Sequence, residues 1–137
     1  MNKEYFKRLT NEKSNILGKT FERSTLLGLD SRKFVKILMT EPKLLDMLYN
    51  DERTEWCDEC FLLSVFCEIY PFEKGETIDK FTMWYLGYLY KYWMRTRKAN
   101  PNYIYKLLPI DKFLDCFDFY HTQDWDYVIE DVLRSYK

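Results

Sequence analysis

The sequence predicts an all-α fold, a compact single-domain helical bundle of about six to eight helices, several of them short. Three observations lead there. Gly and Pro number only four each in 137 residues, too few for a fold of many strands and hairpins. No stretch alternates apolar and polar side chains cleanly enough to read as a half-buried strand. Apolar residues instead recur at three- and four-residue spacing behind Ser, Thr, Asp and Asn positions that suit helix caps. The hydrophobic fraction is 47%, and 12 Tyr and 10 Phe offer large rings for one core in a chain of one-domain length.

The first 29 residues carry the weakest pattern: a helix from Lys3 to Leu17, a second one to Leu27, and Gly18 and Gly28 as punctuation, together a packing arm. Asp30 or Ser31 then caps a helix with Phe34, Ile37 and Leu38 on one side. Thr40 and Pro42 start another, striped by Leu44, Leu45 and Leu48. Thr54 caps a third, with Glu55 in its first turn. Beyond Cys60 this helix is apolar nearly all round, which predicts a central, buried position ended by Pro71. After the loop "FEKGE", Thr77 caps an aromatic helix that runs to about Lys98. Asn100 and Pro101 open a short helix, Pro109 opens another through Phe117, and Thr122 caps the last one, with Trp125, Val128, Ile129 and Leu133 on its apolar side.

Net charge is −1, yet the charges come in blocks: +5 over residues 1–40, −7 over 41–80, +5 over 81–110 and −4 over 111–137. Oppositely charged helices lying side by side explain this, as does a charged face that steers a partner. No apolar run reaches the roughly 20 residues of a membrane span, and the N-terminus has no apolar signal core, so the expectation is a cytoplasmic protein with no membrane partner.

Four cysteines stand at Cys57, Cys60, Cys67 and Cys116. The CxxC lies in a helical context, "TEWCDECFLLSVFCEIY", rather than on Gly- and Lys-rich knuckles, which argues against zinc. Cys57, Cys60, Ser64 and Cys67 share an arc of about 80°, a stripe of small residues that would admit a neighbouring helix. No metal, cofactor or disulfide is expected.

The stretch "MWYLGYLYKYWMRTR", Met83 to Arg97, is the most unusual of the chain. Stepped at about 100° per residue, Lys80, Trp84, Tyr88, Lys91, Arg95 and Lys98 fall on one side, within about 80° of one another. Tyr85, Leu86, Leu89, Tyr90 and Trp93 fall on the opposite side, and Gly87 sits at the border, where a neighbouring helix can approach. The helix thus has an apolar back for the core and an aromatic and basic front. Three readings of that front stand side by side. The N-terminal segment packs over Trp84 and Tyr88; or Trp84, Tyr88, Lys91, Arg95 and Lys98 form a protein-binding hot spot; or the same face stacks and neutralises a nucleic acid. A pI near 5.9 disfavours the third. An acidic run, Glu52, Glu55, Asp58 and Glu59, offers a second patch for a protein partner.

Catalytic signatures are absent from the sequence: there is no GxSxG, GxGxxG or GxxxxGK[ST]. The lone His121, beside Tyr120 and Asp124, is the least implausible centre for a small enzyme. Asp111, Asp115 and Asp118 share a helical face that either binds a cation or is simply solvated.

The aromatic stretch carries a resemblance. Trp84, Gly87, Tyr88, Tyr90, Tyr92 and Trp93, then Ile104, Tyr105 and Lys106, then "YHTQD" at 120–124 and "VIED" at 128–131, resemble a pattern of small helical proteins from low-GC Gram-positive bacteria. Upstream, "LDSRKFVKILMTEP" also looks like a segment of that family, so the likeness spans most of residues 29–133. Asn-Pro-Asn-Tyr at 100–103 departs from the family's Ser-Ser-Lys-Glu. The family accompanies toxin–antitoxin-type and ADP-ribosyltransferase-like genes on mobile elements. The resemblance implies a small accessory protein in genetic conflict and supplies no catalytic residues. Together with the aromatic front and the acidic run it leads to the expectation of a non-enzymatic protein-binding module, antitoxin-like or an inhibitor, acting on a toxin or defence effector as a monomer or homodimer. Inhibition of a host defence nuclease in a phage conflict is a variant of that expectation, since an acidic protein can occupy a basic nucleic-acid channel.

Overall fold

A computed structural model describes residues 2–50 and 58–135. Among them are eight helices and no strand: α1 Lys3–Leu26, α2 Ser31–Thr40, α3 Pro42–Tyr49, α4 Glu59–Ile69, α5 Lys80–Arg97, α6 Pro101–Leu107, α7 Ile110–Tyr120 and α8 Trp125–Ser135. The all-α class is therefore as the sequence predicts.

Helix α5 holds the centre, and its apolar back explains why. Tyr85, Leu86, Leu89, Tyr90 and Trp93 are all buried, so one face of the helix meets the core along its whole length. Burying a ring is favourable only if its polar tip finds a partner. The Tyr85 hydroxyl donates to the Tyr120 carbonyl at 2.7 Å, and the Tyr90 hydroxyl to the Leu108 carbonyl at 2.8 Å. Phe21 of α1 and Phe34 of α2 meet edge-to-face beneath Tyr90, closing the middle of the core.

Helix α1 is one continuous helix of 24 residues, where two were predicted. Gly18 does not break it. A Cβ on Gly18 would stand 2.8 Å from the Trp84 carbonyl oxygen, and one on Gly87 would stand 2.7 Å from the Leu17 carbonyl oxygen. The two glycines let α1 and α5 cross with their backbones nearly touching, and the contacts either side run antiparallel. Thr10, Ser14, Gly18, Thr20 and Ser24 are the small residues that α1 buries. Gly28 is punctuation as read, with φ of +72°.

Caps differ from the sequence reading at three helices. Glu41, not Thr40, caps α3, its carboxylate accepting from the Lys43 amide at 3.0 Å. Asp79, not Thr77, caps α5, its carboxylate accepting from the Thr82 amide at 3.1 Å. Asp124, not Thr122, caps α8, accepting from the Tyr127 amide at 2.8 Å. Carboxylates cap at least as well as a threonine, and they complement the helix dipole besides. The N-terminus read at Thr54 and Glu55 lies outside the described residues; Asp58 caps α4 through the Phe61 amide.

Helix α4 departs from the expected central burial. Leu62, Leu63 and Phe66 face the core, but Cys60, Phe61, Ser64 and Cys67 are exposed. Cys57 lies outside the described residues; the rest of the small-residue stripe, Cys60, Ser64 and Cys67, is exposed beside the C-terminal end of α1 at Leu26 and Leu27 rather than packed under a neighbouring helix. The charge blocks resolve largely by adjacency: Lys33 pairs with Glu73 at 3.0 Å, Arg32 with Asp111 at 2.8 Å, and Arg97 with Glu130 at 2.6 Å. Exposed pairs of this kind are worth at most about 1 kcal/mol each, so they arrange neighbours more than they stabilise them.

Candidate functional site

The front of α5 is where the sequence placed its site, and the structure divides it. Helix α1 runs over one edge. Trp84 is half-buried there, its indole Nε1 donating to Asn15 Oδ1 at 3.1 Å. Tyr88 is half-buried too, its hydroxyl donating to Asn11 Oδ1 at 3.1 Å. The reading in which the N-terminal segment packs over both rings is the one that describes this edge.

Lys91 corrects the predicted front. It is 5% exposed and cannot present a charge to a partner. Its stem crosses the core and its amine donates to the Leu48 carbonyl, in the last turn of α3, where the helix dipole favours a cationic donor. Burial pulls its pKa down to about 7, and the nearby charge of Lys13 adds to that. Arg95 is half-buried; its Nε donates to Thr10 Oγ1 at 3.0 Å and its guanidinium lies 5.1 Å from the Phe6 ring centre. Lys98 is exposed, in the left-handed conformation that ends α5, with φ of 50°. Of the acidic patch, Glu52 and Glu55 lie outside the described residues, Asp58 is exposed at its cap, and Glu59 is half-buried in the first turn of α4.

On the other edge of α5 the first turn of α8 approaches, and there the molecule opens. Phe6, Lys7, Thr10 and Asn11 from α1, Tyr88, Tyr92 and Thr96 from α5, and Asp124, Trp125 and Asp126 at the start of α8 line a groove of about 550 Å³. Ligand sites commonly have this size. Trp125 lies nearly parallel to Tyr88 with ring centres 4.4 Å apart, and 4.5 Å from Tyr85 on its inner side. The Tyr92 hydroxyl donates to Asp126 Oδ2 at 3.0 Å. Burial first, and then that carboxylate, push the Tyr92 pKa up to about 12, so the phenol stays protonated.

Tyr92, Trp125 and Phe6 are the residues that sequence reasoning missed. Tyr92 sits at about 120° on the wheel, between front and back, and so belonged to neither. Trp125 was assigned to the apolar side of its helix; the residues buried there are Val128, Ile129 and Val132, while Trp125 is half-buried against α5.

The alternative centre at His121 is not assembled. His121 is exposed, its Nδ1 2.8 Å from the Phe117 carbonyl one turn back. Tyr120 is buried and donates to Asp131 at 2.8 Å, and Asp124 is engaged as a cap. Burial, with that bond to Asp131, raises the Tyr120 pKa. Asp111, Asp115 and Asp118 are exposed, and among the described residues no group of three or more His, Cys, Asp or Glu is placed to hold a metal ion. Among the same residues no helix is long and apolar enough to cross a membrane. Compared with protein-family models, curated proteins and solved structures, the chain has no match.

Proposed function

We propose that this chain is a non-enzymatic protein-binding module, an antitoxin-like or inhibitor protein that occludes a toxin or defence effector in a mobile-element or phage-defence conflict. The observation that carries the reading is the open groove between α1, α5 and α8, walled by four aromatic side chains, with polar groups bonded to one another rather than set around a reacting atom. Aromatic anchors ringed by polar side chains are what dominate protein interfaces. Nucleic acid is a weaker reading, because Lys91 is buried, Arg95 rests on Phe6 and Arg97 is held between Asp126 and Glu130. An acidic contact through Asp58 and Glu59 with the basic channel of a host defence nuclease is a form of the same proposal.

The test compares tagged wild type with Tyr92→Ala and Lys7→Glu, both checked for folding by circular dichroism. Trp84→Ala is unsuitable, since Trp84 packs on Gly18 and bonds Asn15 within the fold. A partner identified from the native host and then purified should bind wild type and lose about tenfold or more in affinity to Tyr92→Ala. Equal affinity for wild type and both groove variants would overturn the reading.

A further inference from the structure

The rings between α5 and α8 cover one another in an unbroken series. Trp84 and Tyr88 have ring centres 5.2 Å apart, Tyr88 and Trp125 4.4 Å, and Trp125 and Tyr92 6.4 Å. Tyr85 joins from the core side, 4.5 Å from Trp125. Packing accounts for rings that meet in this way. It does not account for a chemical difference among their polar tips. Trp84 donates to the Asn15 side-chain oxygen at 3.1 Å, Tyr88 to that of Asn11 at 3.1 Å, and Tyr85 to the Tyr120 carbonyl at 2.7 Å. All three acceptors are amide oxygens, which accept a hydrogen bond without taking up the proton. Tyr92 is the member of the stack that donates to a carboxylate, Asp126 Oδ2, at 3.0 Å. That is within the reach at which a base takes a proton. Burial and that carboxylate keep the Tyr92 phenol protonated at rest.

Indoles and phenols give up a single electron to strong oxidants, and rings in contact pass the deficit between them. A phenol that has lost an electron is a strong acid, so the deficit settles where a base can accept the proton. In this stack that place is Tyr92. We infer that Trp84, Tyr88, Trp125 and Tyr92 form a one-electron relay that carries the deficit left by a strong one-electron oxidant to Tyr92, on the wall of the groove. The oxidant is reduced by one electron at Trp84, Tyr88 or Trp125. In the last step the oxidised Trp125 ring takes an electron from Tyr92 while the phenolic proton passes to Asp126. The Tyr92 O–H bond breaks, an O–H bond forms on the Asp126 carboxyl, Trp125 returns to its closed-shell form, and a neutral tyrosyl radical remains. The oxidised state is thereby held at the groove, away from Tyr85 and both tryptophans. The relay does not depend on what the groove binds.

Flash photolysis of the intact protein with tris(bipyridine)ruthenium and persulfate supplies the oxidant, and transient absorption follows tryptophan and tyrosyl radicals in their separate bands. Wild type should show a tryptophan radical that decays as a tyrosyl band grows, at one shared rate. Tyr92→Phe keeps the ring without the phenol, and that shared phase should lose most of its amplitude. Trp125→Phe breaks the series and should remove the phase too, whereas transfer from the sequence neighbour Trp93 would leave it. Asp126→Asn keeps an acceptor but not a base, and should slow the phase about tenfold or more. Asp124→Asn changes net charge equally, two residues away, and should leave the rate as in wild type. A shared phase that survives Tyr92→Phe or Trp125→Phe, an unchanged rate in Asp126→Asn, or equal slowing in Asp124→Asn overturns the relay.

Discussion

Helix α5 meets α1 and α8 in opposite ways. Against α1 the closest contact is backbone on backbone, at Gly18 and Gly87, with Trp84 and Phe21 packed beside the two glycines. Against α8 it is ring on ring, Trp125 over Tyr88 and Tyr85. The first arrangement excludes solvent and fixes the position of two helices. The second leaves half-buried rings and a groove between them. Stability thus concentrates where Gly18 meets Gly87, and the open groove lies beyond it, where the first turns of α1 and α8 converge on α5, so substitutions should sort accordingly.

The largest effect is expected at Gly87→Ala. Helix propensity alone would make this change stabilising by about 1 kcal/mol. The new Cβ, however, would meet the Leu17 carbonyl oxygen at 2.7 Å and the Gly18 Cα at 2.9 Å, both backbone atoms that move only with the whole helix. A net loss of about 3 kcal/mol in urea unfolding is expected, in the range that overpacking costs. A gain would mean that the seam is looser than the contacts imply.

Next in size is a pH effect at Lys91. Its pKa is lowered to about 7 in the folded chain against about 10.4 unfolded, so between those values the unfolded state binds more protons. Stability contributed by this residue therefore rises as pH increases from 7 and is least at pH 7 and below. Comparing wild type with Lys91→Met cancels the other titrating groups. The difference should shift by about 2 kcal/mol in favour of wild type between pH 7 and pH 9. A difference that stays constant over that range would place the charged amine in a well-solvated or well-paired setting.

How much of this was legible in the sequence follows from the same contrast. The core face of α5 was readable because Tyr85, Leu86, Leu89, Tyr90 and Trp93 obey helical periodicity. The α1 seam was not, because beside Leu17 and Phe21 its buried residues are Thr10, Ser14, Gly18, Thr20 and Ser24, which hydropathy counts as polar or as breaks. Lys91 misled for a related reason: a long apolar stem delivers its amine to Leu48 through the core, and charge alone reads as solvent. The cap errors share one form, a threonine one or two residues before a better-placed carboxylate, at Thr40/Glu41, Thr77/Asp79 and Thr122/Asp124. The groove is tertiary: Phe6, Tyr92 and Trp125 come from three helices, and no local pattern joins them.

A smaller effect, of opposite sign, belongs to Ser14. Its hydroxyl is the buried side-chain polar atom among the described residues with no hydrogen-bond partner. An unmet buried hydroxyl costs about 1 kcal/mol or more, and alanine fills nearly the same space with better helix propensity. Ser14→Ala should stabilise by about 1 kcal/mol while leaving partner affinity unchanged. Destabilisation would mean that the hydroxyl has a partner after all, and the seam would then be held by polarity as well as by size.

The smallest effect on stability is expected at Asp124, on the α8 rim of the groove. Asp124 is exposed, and its structural task is to accept one hydrogen bond from the Tyr127 amide at 2.8 Å. Asparagine does that equally well, so Asp124→Asn should change unfolding free energy by no more than about 0.5 kcal/mol, whereas Asp124→Ala should lose about 1 kcal/mol. The pair separates cap from charge. Loss of partner affinity in both variants, with stability lost only in the alanine, assigns recognition to the carboxylate itself. Loss in the alanine alone assigns it to the position of α8, with Trp125 and Asp126 carried out of register as the first turn frays.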